Sequence, residues 1–315
     1  MSYNVNTTIA TDINNIKDTD DATPLIKKYD NSNPSYTEAI KKNILRKQPS
    51  INEVIMLDGV PLFSWVELNV NELCNRTCVF CPRHDPKIYP NQNLHMDLEL
   101  AELISVQLVS VGFKGIVNIS GTGEATLTKH LPLIVKEFGD KKIHIEIVTN
   151  GDKLTPKLIT DLYLAGLSQM VVSMYDGPEQ IEHFNNLFDE CGVSEDLYTL
   201  RDRWYDEEED YGLLYTNRAG SMGEKLLSPH ERPCYYPHYA TYIDWNGDVL
   251  LCCQDMYNRT EIFGNVKDKP LLDIWVDKKL NDFRKKLVKG ERTISPCNNC
   301  TANGMVFGEN HSRLW

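Results

Sequence analysis

The chain has 315 residues, enough for one large α/β domain with a small appendage, and its 41% hydrophobic and 25% charged residues are those of a soluble globular protein. A formal net charge of −12 disfavours nucleic acid as a partner, leaving room only for a local basic patch. There is no run of about 18 apolar residues to span a membrane and no basic-then-apolar signal peptide at the N-terminus; a cytoplasmic location is expected, with the nine cysteines serving metals or catalysis rather than disulfides.

Residues 1 to about 34 are polar, without hydrophobic period, and read as a mobile or surface-draped extension. A short helix is expected at 36–47. EVIMLDGVPLFSWVELNV then reads as a hairpin around Asp58-Gly59 leading into a first core strand. An alternation follows: a helix at 98–112 capped by Asp97, a strand at 115–120, a helix at 131–138 and a strand at 143–148. It continues with a helix at 155–166 opened by Pro156, a strand at 169–174, a helix at 178–190 and a strand at 212–216. Repeated strand–helix units predict a parallel sheet, open or rolled toward a barrel, with ligands at the carboxyl ends of its strands. The acidic run at 206–210 reads as a solvated loop, with a lid as the alternative. After about residue 224 the rhythm breaks into a hairpin at 240–253 turning at Asn246-Gly247, a long amphipathic helix at 271–288, and a loop with Cys297 and Cys300.

The segment CNRTCVFC holds Cys74, Cys78 and Cys81 directly after the first core strand. Thiolates are soft ligands for zinc or iron–sulfur clusters. A four-iron cubane held by three cysteines keeps one iron open; a zinc loop is the other outcome that spacing alone allows. The C-x₃-C-x₂-C spacing, with Phe80 before the third cysteine, resembles the radical S-adenosylmethionine (radical SAM) superfamily. SGTGEATL at 120–127 ends the second strand, and its Thr122-Gly123-Glu124 stands where that family has Gly-Gly-Glu, with threonine in place of the first glycine. VTNG (148–151) and VSMYDG (172–177) end the next two strands. Singly these are ordinary turn residues. In this order they extend the resemblance over roughly 64–220.

The resemblance implies a partial (β/α)6 barrel with an S-adenosylmethionine-binding [4Fe–4S] cluster at its mouth, on Cys74, Cys78 and Cys81. Phe80, Thr122, Gly123, Glu124, Asn150, Ser173 and Asp176 are the implied cofactor-binding residues. Reductive cleavage of S-adenosylmethionine to a 5′-deoxyadenosyl radical, followed by hydrogen abstraction from substrate, is the implied chemistry.

Cys234, Cys252, Cys253, Cys297 and Cys300 form a second set, with zinc or iron–sulfur as its possible metals. Gly247 and Cys252 make a G-x₄-C element that resembles the SPASM and Twitch auxiliary-cluster domains of the same superfamily. Five cysteines are too few for two further clusters, and the layout is similar to Twitch-type aminocyclitol dehydrogenases. The ligands so implied are Cys234, Cys252, Cys297 and Cys300. Cys253 then points to the opposite face of its strand, the exchange of Cys252 and Cys253 staying open, and Cys191 reads as an inert core thiol. Arg218, in YTNRAG, is the implied substrate-contacting residue.

The expected organisation is a polar extension over 1–62, the radical SAM barrel over 63–224 and a small α+β auxiliary-cluster domain over 225–315. The expected activity is oxidation of a sugar-like or aminocyclitol small molecule through the auxiliary cluster, with a flavodoxin- or ferredoxin-like reductant and neither nucleic acid nor membrane as partner. Modification of a ribosomal peptide is the alternative enzyme class, and an iron–sulfur electron carrier the non-enzymatic one.

Overall fold

The computed structural model describes residues 5–6, 44–204, 216–223 and 226–315. Nearly all of the polar extension, the acidic run 206–210 and residues 212–215 of the strand expected at 212–216 lie outside them. Strands Val5–Asn6 (β1), Met56–Leu57 (β2) and Val60–Pro61 (β3) make a small antiparallel sheet, with the expected turn at Asp58-Gly59. The main sheet contains Trp65–Leu68 (β4), Ile116–Ile119 (β5), His144–Thr149 (β6), Gln169–Met174 (β7) and Tyr198–Asp202 (β8), each parallel to the next. Ala240–Ile243 (β9) lies parallel to β4 on its other side, and Asp248–Leu250 (β10) and Ile262–Asn265 (β11) complete that edge in antiparallel fashion.

β5, β6 and β7 are rich in Ile and Val and buried on both faces, as a parallel sheet covered by helices requires. A helix at 44–52 (α1) precedes the sheet. Leu98–Ser110 (α2), Leu131–Gly139 (α3), Pro156–Leu164 (α4) and Glu179–Glu190 (α5) connect successive strands. Each buries one apolar stripe; in α2 it is Leu100, Ile104 and Leu108 at helical spacing. The α2 cap is Asp97, which accepts from the Leu100 amide at 2.7 Å, and Thr155 caps α4 ahead of Pro156. The strand–helix rhythm predicts this parallel sheet, and the family resemblance implies its form as an α/β partial barrel.

Four details differ from the sequence expectation. The first helix continues to residue 52 rather than ending at 47, and 36–43 lie outside the described residues. β8 comes at 198–202, ahead of the expected strand: its Tyr-Thr-Leu-Arg-Asp alternates only weakly because the inward Arg201 is charged. The helix expected over 271–288 is two, Leu271–Trp275 and Lys278–Leu287; Trp275 is locked by a 2.9 Å bond from its indole Nε1 to the Pro61 carbonyl, and Asp277 caps the second helix through the Lys279 amide. The hairpin at 240–253 does not stand apart from the barrel, since β9 pairs with β4 over four residues.

Where β4 ends, a buried carboxylate gathers three segments. Glu72 accepts from Arg83 Nη2 (2.9 Å) and the Tyr89 hydroxyl (2.7 Å) on one oxygen, and from Thr122 Oγ1 (2.9 Å) and Arg259 on the other. Arg83 also donates to Asn91 Oδ1 at 2.8 Å, and Asn91 clamps the Cys74 backbone from both sides, at 2.9 and 2.8 Å. Arg259 is shared with Asp244, just past β9. Removing one partner from such a buried ionic group leaves uncompensated charge at a cost of about 3–5 kcal/mol. Glu72→Gln is therefore expected to lower unfolding free energy by about that much in denaturant titrations, and to loosen the hold on Cys74 that runs through Arg83. An unchanged midpoint would contradict this.

Two imidazoles are buried beside the C-terminus. Burial lowers His238 from 6.5 to about 3, with the Arg284 charge adding, and lowers His311 to about 4. His311 Nε2 donates to the Ile51 carbonyl at 3.1 Å while its Nδ1 has no partner. Both folded values lie below the unfolded one, so their contribution to stability is complete above pH 6.5 and is lost as pH falls toward 4 and 3. Between about pH 6.5 and pH 4 each imidazole should remove up to about 1.4 kcal/mol per pH unit. Urea midpoints measured across that interval should fall steadily, and a flat profile would refute the assignment.

Candidate active site

At the carboxyl ends of β4–β8 opens a cavity of about 440 Å³. Cys74, Cys78, Phe80 and Cys81 form one wall. Their loop is tied to the barrel rim: Asn150 Nδ2 donates to Asn75 Oδ1 at 2.9 Å, and Arg76 bridges Asp152 (2.5 Å) and Asp176 (2.6 Å). Phe80 stacks on Tyr175 with ring centroids 5.8 Å apart. Burial raises the Cys74 thiol and pushes Cys78 up to about 12, the neighbouring cysteines adding to it.

The turn after β5 supplies Thr122, Gly123 and Glu124 to the same cavity. A Cβ on Gly123 would stand 1.7 Å from Asn71 Oδ1, so no larger residue fits. Position 122 has no such crowding, and Thr122 uses its hydroxyl to enter the Glu72 network. Glu124 is buried; its carboxylate accepts from Thr149 Oγ1 (2.6 Å), Thr126 Oγ1 (2.6 Å) and the Asn150 amide (2.8 Å), which fixes it against the end of β6. Asn150 and Ser173 line the cavity as expected. Asp176 does not: it is half exposed, and Arg76 both binds it and holds its carboxyl below the usual range. The structure makes it an anchor of the cysteine loop rather than part of the cavity wall.

Cys297 and Cys300 are buried, and burial raises the Cys252 thiol, with Cys253 first and then Cys300, Cys234 and Cys297 adding to it. The buried Arg292 shapes this second thiol group by donating to the carbonyls of Ala302 (2.7 Å), Asn303 (2.6 Å) and Pro233 (2.8 Å). Gly304, in the left-handed region, leaves space for Cys234, whose sulfur would lie 2.5 Å from an added Cβ. Cys253 faces the other way and lines the cavity next to Glu67, Lys47 and Arg218. Cys191 is remote from the cavity, its sulfur 3.7 Å from the Pro156 carbonyl. Among the described residues no three His, Cys, Asp or Glu side chains converge on a point for a single ion. Three thiols on one cavity wall and a second, mostly buried set of thiols are instead a donor chemistry that suits iron–sulfur clusters.

Arg218 lines the cavity on a strained turn, where it and Ala219 both take left-handed backbone (φ 48° and 51°). Asn217 fastens that turn to the second thiol group through the Thr301 hydroxyl (2.8 Å) and the Asn299 carbonyl (2.5 Å). The cavity also contains residues that motif reading does not reach. Glu67 and Asn118 are register partners on β4 and β5, and Glu146 continues their row on β6, where it binds Arg46. Lys47, Arg201 and Arg203 add a basic side. The available signal is a single polar residue at mid-strand in an otherwise apolar run, as in WVEL and IVNI.

Comparison with known proteins agrees with this geometry. Residues 68–188 match the model of the radical SAM superfamily, and residues 234–301 match that of the SPASM iron–sulfur cluster-binding domain. The S-adenosyl-L-methionine-dependent 2-deoxy-scyllo-inosamine dehydrogenase of Niallia circulans is 31% identical over 244 residues, which span 76% of this chain and 93% of that protein. The crystal structure of BtrN in complex with AdoMet and 2-DOIA superposes with a TM-score of 0.67 at 28% identity, covering 80% of this chain and 98% of BtrN. Selenomethionine BtrN in an open conformation gives 0.57 at 26% identity, over 76% and 93% of the two chains. The chain thus belongs to the radical SAM superfamily, as an S-adenosylmethionine-dependent oxidoreductase with a SPASM-type auxiliary domain and two [4Fe–4S] clusters.

Proposed function

We propose that the protein dehydrogenates a carbinol carbon of a small polyol, sugar-like or aminocyclitol molecule. The observation that carries this reading is the placement of Cys252 and Cys253: adjacent residues, one among the second group of thiols and the other in the cavity wall. A substrate radical in the cavity is then close to a one-electron acceptor. In this reading Cys74, Cys78 and Cys81 hold the first cluster, and Cys234, Cys252, Cys297 and Cys300 the second. When bound and reduced by a flavodoxin- or ferredoxin-like carrier, the first cluster with S-adenosylmethionine supplies a 5′-deoxyadenosyl radical.

The remaining steps belong to the chain. Glu124, held rigid by three donors, presents its carboxylate to the ammonium of S-adenosylmethionine. Ser173 and Arg201, bonded at 2.7 Å, receive the cofactor carboxylate, and Asn150 and Phe80 border the same space. The carbinol loses a hydrogen atom to the radical, then an electron toward the second thiol group and a proton to a base. Glu67 is that base: it lines the cavity, with Ser120 Oγ at 3.3 Å to orient it. Arg218 contacts the substrate.

Anaerobically reconstituted protein should contain about eight irons and, on reduction with dithionite, form 5′-deoxyadenosine; Cys78→Ala should form none. A Cys297→Ala/Cys300→Ala protein should still cleave S-adenosylmethionine slowly and yield almost no oxidised product. Zinc in place of iron, or full product from that double variant, would sink the corresponding assignment.

Epimerisation is the second reading, favoured by the Cys253 sulfur in the cavity wall. There the thiol returns a hydrogen atom to the substrate radical, and the external reductant restores the thiol. Reaction in deuterated water separates the two. Oxidation is expected to give product without deuterium at the reacting carbon and to survive Cys253→Ser. Deuterium at that carbon, lost in Cys253→Ser, would replace oxidation with epimerisation.

A further inference from the structure

The cavity of this acidic protein is basic on one side. Lys47 of α1, Arg201 of β8, Arg203 just beyond it and Arg218 all line it, and none forms an ion pair among the described residues. The contrast with their neighbours is clear, since Arg46 is paired with Glu146 and Arg76 with Asp152 and Asp176. The Nε atoms of Arg201 and Arg218 are buried without any hydrogen-bond partner. Among the described residues Lys47 has the Trp65 ring, 4.2 Å from its ammonium. Burial, with neighbouring cations adding to it, lowers Arg201 to about 9 and lowers Arg203; burial also lowers Lys47, where Glu67 opposes it. Guanidinium groups keep their proton at neutral pH, so the site holds positive charge that the protein itself does not neutralise.

Bound S-adenosylmethionine leaves most of that charge in place. Its ammonium answers Glu124 and its carboxylate answers one cation, Arg201 beside Ser173. Its sulfonium is offset by the single net negative charge of an oxidised cubane with three thiolates. Lys47, Arg203 and Arg218 then stand against Glu67 in the cavity wall and Asp202 beside Arg203, two carboxylates for three cations. A neutral polyol does not correct such an excess, and an aminocyclitol cation worsens it. A phosphoryl ester brings about −1.5 to −2 charges at neutral pH, with oxygens that match guanidinium forks.

We propose that the substrate is a phosphorylated polyol or sugar, and that Lys47, Arg203 and Arg218 bind its phosphoryl group. This deepens the dehydrogenase reading and rests on the same cavity. The test uses protein with both clusters in the oxidised state and S-adenosylmethionine bound, titrated anaerobically with inorganic phosphate, pyrophosphate and succinate at constant ionic strength. Phosphate or pyrophosphate is expected to bind saturably and at least tenfold more tightly than succinate. Tighter pyrophosphate supports a diphosphate ester such as a nucleotide sugar, and tighter phosphate a monoester. Arg203→Gln and Arg218→Gln should each weaken binding tenfold or more and Arg203→Lys less, with the visible absorption of the clusters retained as a check on folding. Absence of saturable binding, succinate equal to phosphate, or unaltered binding in both glutamine variants would overturn the proposal. A loss confined to S-adenosylmethionine affinity would overturn it too, by making these cations cofactor ligands. Failure of the radical reading shows separately, as anion binding without 5′-deoxyadenosine on reduction.

Discussion

The carboxylate of Glu72 is the point at which this molecule becomes a single object. It is 1% exposed and lies between two guanidinium groups, one of them from a residue 187 positions away in sequence. An ion so placed is tolerated only when all its lone pairs are answered, and the donors come from the cysteine-bearing loop, the turn after β5 and the segment after β10. None of these three can move without exposing a buried charge. The threonine at 122 makes sense in that frame. A glycine there would do no harm to the backbone, but it would withdraw a hydroxyl from Glu72 and a partner from Asn69.

Polar residues inside a parallel barrel have an energetic consequence as well as a chemical one. Glu67, Asn118 and Glu146 occupy one row across β4, β5 and β6 where the neighbouring rows are Ile, Val and Leu. The apolar rows provide the folding energy, and the polar row is held in place by that packing, ready before any ligand arrives. The turn at Arg218 and Ala219 follows the same logic. Two successive left-handed residues cost about 1–3 kcal/mol each, and the Asn217 bonds to Asn299 and Thr301 offset that cost. The guanidinium is thereby aimed into the cavity from the flank of the second thiol group.

What could be read from sequence was what is local. Three cysteines in eight residues, and turn residues at the ends of strands, carry their geometry with them, so the cavity rim was foreseeable at Cys74–Cys81, Glu124, Asn150 and Ser173. β8 was not, because an inward-facing arginine makes a cavity strand look like a loop. The break at 276–277 was hidden for a related reason: Val276 and Asp277 preserve the amphipathic period, and only the bond from Trp275 to Pro61, across 214 positions, shows why the chain turns there. Asp176 illustrates the opposite error. Its place at a strand end is right, but Arg76, one hundred residues earlier, takes the carboxylate for itself. The Glu72 network was invisible in principle, since its members share neither a period nor a spacing.

The junction between barrel and C-terminal region also bears on electron flow. β9 adds to β4 in a four-residue parallel ladder from Trp65↔Ala240 to Leu68↔Ile243. β4 leads within six residues to Cys74, and β9 leads through the hairpin and β10 to Cys252 and Cys253, so these cysteines follow strands of one sheet. A slip of one residue in that register would exchange the faces of every side chain on β9, and the buried Tyr242 and Ile243 forbid it. Beyond β10 the chain turns, the Asp255 amide bonding the Cys252 carbonyl at 3.1 Å, and Cys253 lines the cavity. Backbone hydrogen bonds, rather than the packing of two independent domains, therefore fix the cysteine loop relative to the hairpin, and the proposed electron transfer, which competes with requenching of a substrate radical, requires that rigidity.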